Sequence, residues 1–414
     1  MPSCFIQNFG CRVNQAEAFS WADDFERGGM RLEEDPARAD WVIINSCTLT
    51  AKADRDVLKF IRRISRINPG AKLVVAGCAV ESGTVQSERL GPDVVFLSNI
   101  DKEELPQRVL SDTSSRSSAG GPTFRSRAPL KVQDGCDLRC SFCVIPSVRG
   151  RSRSVSQEDV LARARELVVR GFREIVVCGI HLSSYGVDLE PRDSLAGLLE
   201  KLLKVEGLGK LRLSSLDPRS LNEPLIGLIA GASRVCPHFH LSLQHASDRI
   251  LKRMGRGSLS ASYGRILAKL RRDSPSAALG ADIIVGFPGE TEADFEEMRD
   301  FLAASPLDYL HVFGYSSRPG TPAADWIQVG ETEKRRRSRV LRKLSAEKRR
   351  AFRLRFLGEE LEAIVIRKKG ASFQLLTSNY IDVQVPACSA PPGGEAKVRI
   401  TRVEPEWTEG EVVA

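Results

Sequence analysis

Short apolar runs alternate with longer amphipathic stretches along most of this 414-residue chain. In residues 1–110 the runs at 4–9, 41–46, 72–77 and 94–97 predict strands, and AEAFSWADDFERGG and KADRDVLKFIRRISRI between them carry helical spacing. That alternation predicts a doubly wound α/β domain. Residues 111–127, SDTSSRSSAGGPTFRSR, are rich in Ser and Gly without apolar periodicity and read as a linker. Between 128 and 330, LKVQD (130–134), EIVVCG (174–179), LRLSS (211–215), FHLSL (239–243), ADIIVGF (281–287) and YLHVFGY (309–315) read as strands. Helical stretches fall near 157–171, 194–205, 222–231, 260–272 and 290–303. Six βα repeats predict a partial (β/α)6 TIM-type barrel, two repeats short of a standard closed one. Residues 331–357 form a charged helical connector, and 358–414 are β-rich and turn-punctuated, as in a small β-barrel.

Composition adds a bias in charge. The net charge is +8, yet residues 331–358 alone hold twelve Lys or Arg against three Glu, which is 12 − 3 = +9. A basic face of that density points to a polyanion such as RNA, with a solvated interdomain helix as the alternative. No apolar run approaches the ~20 residues that span a bilayer. The start, MPSCFIQNFGC, lacks the pattern of a secretory signal, so a cytoplasmic location is expected. Cysteines there stay reduced and read better as metal ligands than as disulfides.

Six of the ten cysteines fall into two triplets. Cys136, Cys140 and Cys143 lie together in DGCDLRCSFCVIP, directly after the first barrel strand. Active residues of such barrels gather in the loops after the strands. Three thiols within eight residues, with no histidine at zinc-site spacing, point to an iron–sulfur cluster with one iron left open. Cys11, Cys47 and Cys78 are dispersed, but each closes an apolar run: FIQNFGC, WVIINSC and KLVVAGC. Carboxyl ends of strands in an open α/β sheet are where ligands bind, so these three are expected to converge; taken alone they also fit plain buried thiols. Cys4, Cys178, Cys236 and Cys388 read as ordinary thiols.

The tight motif, with Phe142 before its last cysteine, resembles the radical S-adenosylmethionine superfamily. FGCRVNQAE, NSCTLTAKAD, VVAGCA, CPHFHLSLQHASDRILKRMGRG, DIIVGFPGETEADFE and HVFGYSSRPGTPAA narrow the resemblance to its methylthiotransferases, and the tail resembles their TRAM domain. The resemblance covers nearly the whole chain in order. It implies two 4Fe–4S clusters: a radical-generating one on Cys136, Cys140 and Cys143, and an auxiliary one on Cys11, Cys47 and Cys78 that delivers sulfur. S-adenosylmethionine would serve as radical source and as methyl donor. Implied partners are the anticodon loop of tRNA, an electron donor such as flavodoxin or ferredoxin, and a sulfur source, with no membrane.

Phe142, Gly179, Ser214, Ser215, Gln244 and Gly286 lie at predicted strand ends or in the cluster loop, where a nucleoside cofactor would bind; turn glycines and capping serines are the alternative reading. His181 and His245 share those strand ends and read equally well as hydrogen-bonded structural residues. The family usually reads Leu-Gln-Ser-Gly-Ser-Asp where this chain has LQHASD at 243–248, which puts the hold on cofactor or substrate at that loop in question. GCRVNQAE resembles the class acting on threonylcarbamoyl-adenosine in tRNA (position 37), whereas the isopentenyl-adenosine class tends to Gly-Cys-Gln-Met-Asn. The remaining alternatives are a ribosomal-protein aspartate as substrate, or a non-catalytic RNA-binding iron–sulfur redox sensor. Lys368, Lys369, Lys397 and Arg399 are candidates for RNA contact by charge.

Overall fold

The computed structural model describes residues 1–85, 94–112, 126–257 and 260–413. Residues 113–125 of the expected linker lie outside the described residues. Two compact units divide the chain: one gathers Met1–Phe124, Asp134–Ser152 and Ser316–Ala324, the other Arg125–Gln133, Arg153–Tyr315 and Asp325–Ala414.

In the first unit, strands β1 (Ser3–Asn8), β2 (Arg31–Leu32), β3 (Trp41–Ser46), β4 (Lys72–Gly77) and β5 (Val94–Leu97) form one parallel sheet in the order β2-β1-β3-β4-β5. Both faces are covered, which is why WVIINS is buried throughout. Ile43, Val74 and Ala76 pack against Trp21 and Phe25 of α1 (Arg12–Arg27). Val42, Ile44 and Val75 pack on the other face against Val57, Ile61 and Ile64 of α2 (Ala51–Ile67). Those three α2 positions are spaced as one helical stripe, and Thr50 caps the helix by accepting from the Ala53 N–H at 3.2 Å. The unit also contains α3 (Cys78–Glu81), α4 (Leu105–Ser111) and α5 (Ile145–Arg149). The order of strands reverses between β1 and β3, and that switch point opens a crevice at the carboxyl ends.

In the second unit, β6 (Ala128–Asp134, its last residue assigned to the first unit), β7 (Arg153–Ser154), β8 (Glu174–Gly179) and β9 (Lys210–Leu213) form one sheet. β10 (His238–Gln244), β11 (Ala278–Val285) and β12 (Tyr309–Gly314) form another. Isolated parallel bridges, Leu211 to Val235 and Leu216 to Leu241, continue the first sheet into the second. Six parallel strands thus make the expected partial barrel. Their helices are α6 (Gln157–Val169), α7 (Leu195–Leu202), α8 (Glu223–Gly231), α9 (Asp248–Arg253), α10 (Ser260–Asp273) and α11 (Glu292–Ala304).

The connector is α12 (Glu331–Leu354). Much of its charge is used within the chain. Arg337 bonds Glu290 at 2.7 Å, Arg336 pairs with Glu292 and Glu333, and Arg353 donates to the carbonyls of Glu404 and Pro405. The +9 segment is therefore in good part structural. Five strands, β13 (Glu360–Lys369), β14 (Ser372–Thr377), β15 (Asp382–Val385), β16 (Glu395–Val403) and β17 (Thr408–Val413), close a small barrel around Val365, Leu375, Val383, Val398 and Ile400. Lys397 and Arg399 on it are paired with Glu360 at 2.7 and 2.6 Å, which weakens their claim as RNA contacts. No helix of the described residues is long and apolar enough to cross a membrane.

Candidate cluster-binding site

Parallel pairing places the dispersed cysteines after the carboxyl ends of three adjacent strands, β1, β3 and β4. Cys11 follows β1 and caps α1, Cys47 follows β3 directly, and Cys78 follows β4 directly. Cys47 lies close enough to Cys78 and Cys11 to feel both electrostatically, and Cys11 feels Cys78. Burial pushes the Cys11 thiol upward, and it pushes Cys47 up to about 12. A bound metal reverses that preference, because coordinating thiols are deprotonated outright. Polar side chains already face the sulfurs: Cys11 Sγ lies 3.1 Å from Asn14 Oδ1, and the Asn99 amide donates to Cys78 Sγ at 3.6 Å. Gly77, at φ +101°, permits the tight turn into α3, since a Cβ would lie 2.7 Å from the Ser46 carbonyl.

The tight triplet sits on a loop of the same unit. Cys136 and Cys140 are buried and Cys143 is half-buried. The loop is closed on itself by Cys136 N–H donating to Gly150 O at 3.1 Å, and Cys143 N–H donates to Cys140 O at 3.0 Å. Gly135 has φ +69°, and a Cβ there would lie 1.9 Å from the Arg151 carbonyl. Gly135→Ala is therefore expected to cost on the order of 2 kcal/mol or more and to lower the thermal midpoint. Gly70→Ala, with nothing within 4 Å of its Cβ, is the control that should leave the midpoint within a degree or two. Ala323 N–H donates to Ser141 O at 2.9 Å, tying the PGTPAA stretch to the loop.

Both triplets fit the group that three-thiol sites hold. Six thiols in two groups of three, with the Asn99 amide donating to the Cys78 sulfur and Cys11 and Cys143 half-buried, form a soft donor set suited to iron–sulfur clusters. Beneath them runs a buried charge network that the sequence reading missed. Arg149 donates to Asp134 at 2.8 Å, to Glu17 at 3.0 Å and to Asn14 at 3.0 Å. Lys102 pairs with Glu17 at 2.6 Å and donates to Asn99 at 2.8 Å. Arg318, also buried, donates to Thr48 Oγ1 and Asp54 Oδ2 at 2.5 and 2.6 Å. A Glu or Arg that looks ordinary in a helix or loop carries no sign in sequence that its partner lies 132 residues away.

The other expected contacts divide. Phe142 is half-buried within the cluster loop. Gly179, Ser214, Gln244 and Gly286 stand at or just beyond the carboxyl ends of β8, β9, β10 and β11 in the second unit. Ser214 is buried and its hydroxyl has no hydrogen-bond partner among the described residues, while Ser215 beside it is exposed. Gln244 has φ +69°, a conformation that side-chain-bearing residues rarely hold. Gly286 has φ +69° as well, and a Cβ would lie 2.4 Å from Lys334 Cγ. His181 lies 3.7 Å from Asp217. His245 accepts from the Ser247 N–H at 2.9 Å and lies 3.7 Å from Glu290, with both side chains fully buried. The LQHASD departure thus replaces a small residue with a packed histidine. Cys178 is fully buried and its thiol donates to Leu130 O, as an ordinary core thiol does.

Residues 130–302 match the Radical SAM superfamily model, and residues 3–97 match the uncharacterized protein family UPF0004. The threonylcarbamoyladenosine tRNA methylthiotransferase MtaB of Aquifex aeolicus is 36% identical, over 92% of this chain and 95% of that protein. This chain is a radical S-adenosylmethionine methylthiotransferase. The ribosomal protein uS12 methylthiotransferase RimO of an Anaeromyxobacter species is 33% identical over 91% of this chain and 84% of that protein. Among solved structures, the radical S-adenosylmethionine methyltransferase TsrM of Kitasatospora setae superposes with a TM-score of 0.58 at 15% identity, covering 78% of this chain and 75% of that one. That likeness concerns the fold. As a methylthiotransferase the chain is an enzyme, and the non-catalytic sensor drops out.

Proposed function

We propose that this methylthiotransferase acts on C2 of N6-threonylcarbamoyladenosine beside the anticodon of tRNA. The observation that carries the two-cluster reading is the gathering of Cys11, Cys47 and Cys78 at three strand ends of the unit that also holds Cys136, Cys140 and Cys143. In this reading 1–110 forms the auxiliary-cluster domain, 128–330 the radical barrel, 331–357 the connector and 358–414 the RNA-binding barrel. Cys136, Cys140 and Cys143 hold one 4Fe–4S cluster, and Cys11, Cys47 and Cys78 hold the other. When bound, the first cluster supplies the electron that cleaves S-adenosylmethionine to a carbon radical, and the second supplies sulfur. The chain's own residues supply position. Gln244, Gly179 and Gly286 shape the strand-end rim for the nucleoside, and the buried Ser214 hydroxyl offers it a hydrogen bond. A base turned out of an anticodon loop is already partly unstacked, which lowers the cost of reaching a buried site. A flavodoxin- or ferredoxin-type electron donor, a sulfur source and a cytoplasmic location belong to the same proposal.

The threonylcarbamoyl substrate is favoured by GCRVNQAE and by the 36% identity to the Aquifex aeolicus enzyme. Mass spectrometry of digested total tRNA from cells with and without the gene tests it. Loss of the 2-methylthio form of threonylcarbamoyladenosine, with its parent accumulating, is the expected result. An unchanged threonylcarbamoyl signal with loss of the isopentenyl product, or with an unmodified ribosomal-protein aspartate, would overturn it.

A further inference from the structure

We infer that β10, β11 and β12 carry a mononuclear divalent-metal site built from His240, Asp282 and His311, separate from the six cluster cysteines. The three side chains come from adjacent strands of one sheet, and one donor atom from each lies within 4.8 Å of the others. His240 Nε2 is 2.9 Å and His311 Nδ1 is 3.5 Å from the same oxygen, Asp282 Oδ1. Ligand atoms about 2 Å from a shared ion stand about 3 Å from one another, so these spacings suit one ion. Two imidazoles and one carboxylate on one side form the face that binds first-row divalent metals with positions left open.

Outer contacts fix the donors. Tyr309 Oη lies 3.0 Å from His240 Nδ1 and 2.7 Å from His238 Nε2. That bond orients the His240 ring and leaves Nε2 for the metal, the role outer-sphere partners play at histidine sites. An ion also has a way in. His240 is buried, Asp282 half-buried and His311 exposed, and His311 borders a cavity of about 510 Å3. Arg349, Arg367 and Lys369 also line that cavity, and Arg349 lies over the Tyr309 ring. With those cations lining the cavity, the open positions would favour an anionic oxygen over a neutral donor.

A simple hydrogen-bonded trio is the competing account, and zinc binding separates the two. The probe is Zn(II), equilibrated by dialysis with the cluster-loaded full chain under anaerobic conditions. Zinc and iron are both counted by plasma mass spectrometry. The expected result is one zinc per chain with iron unchanged. His311→Ala, at an exposed side chain, should weaken zinc binding at least ~10-fold, and zinc should raise the thermal midpoint of the parent chain but not of this variant. Cys388→Ser should bind zinc as the parent does. No zinc in the parent, equal zinc in His311→Ala, or zinc gained only as iron is lost would each overturn the site. None of these readouts depends on the tRNA substrate, so failure here leaves the proposed function standing, and the reverse holds too.

Discussion

Replacing Cys140 by alanine is expected to abolish cleavage of S-adenosylmethionine, whereas replacing Cys47 is expected to spare cleavage and stop thiomethylation. The argument is ligand count. In the proposed arrangement each triplet would supply three thiolates to one 4Fe–4S cluster, and a triplet cut to two thiols would no longer hold it. Cys140 is buried, and no other cysteine shares its loop besides Cys136 and Cys143, so two thiols are left. Cys47 belongs to the strand-end group, where its loss leaves Cys11 and Cys78. Cleavage is read as 5′-deoxyadenosine released without RNA, thiomethylation as the modified nucleoside. Iron analysis gives a second readout: about eight per chain for the parent and about four for either variant. Full thiomethylation by Cys47→Ala would end the division of labour between the triplets. Loss of 5′-deoxyadenosine in both variants, with normal folding by circular dichroism, would show that the clusters cannot be loaded separately.

The parts of this arrangement visible in the sequence are those that local pattern dictates. The runs 41–46 and 72–77 became β3 and β4 with the same bounds, because a strand buried on both faces must be apolar throughout. Placing Cys47 and Cys78 at strand ends followed directly. The short elements escaped: β2 and β7 have two residues each, and α5 and α9 have five and six, too few to show a period. The basic run at 334–355 misled in part. Charge density is legible, but whether Arg336 and Arg337 face RNA or the Glu290 and Glu292 of a neighbouring element depends on packing. His240, Asp282 and His311 lie 42 and 29 residues apart (282 − 240 and 311 − 282). Only the parallel register of three strands places them side by side.

Packing is also what gives Arg149 its weight, and Arg149→Met is expected to be among the most destabilising single changes in the first unit. The side chain is buried at the end of α5, in a stretch, VRGRSR, that marks it no differently from its exposed neighbour Arg151. Burial opposes its charge, but the carboxylates of Glu17 and Asp134, joined by Cys78 and Cys11 when these are thiolates, more than offset that cost and hold the guanidinium charged. Lys102 is driven the other way: burial pushes its ammonium down and Glu17 restores only part. Removing Arg149 therefore takes away the guanidinium that Asp134 and Glu17 share, and Glu17 keeps Lys102, whose charge burial disfavours. Breaking a buried pair from one side costs about 3–5 kcal/mol. In a unit of this size that corresponds to a fall of roughly 10 °C in its unfolding midpoint. Arg149→Lys keeps the charge but loses the fork that reaches Asp134, Glu17 and Asn14 together, so an intermediate fall is expected. The double change Arg149→Met with Asp134→Asn should recover part of the loss, because it also removes a buried carboxylate that Arg149 had balanced. Calorimetry of the cluster-free protein checks this without any contribution from metal binding. A midpoint for Arg149→Met within 2 °C of the parent would mean that the network is solvated and not the buried support of both cysteine triplets.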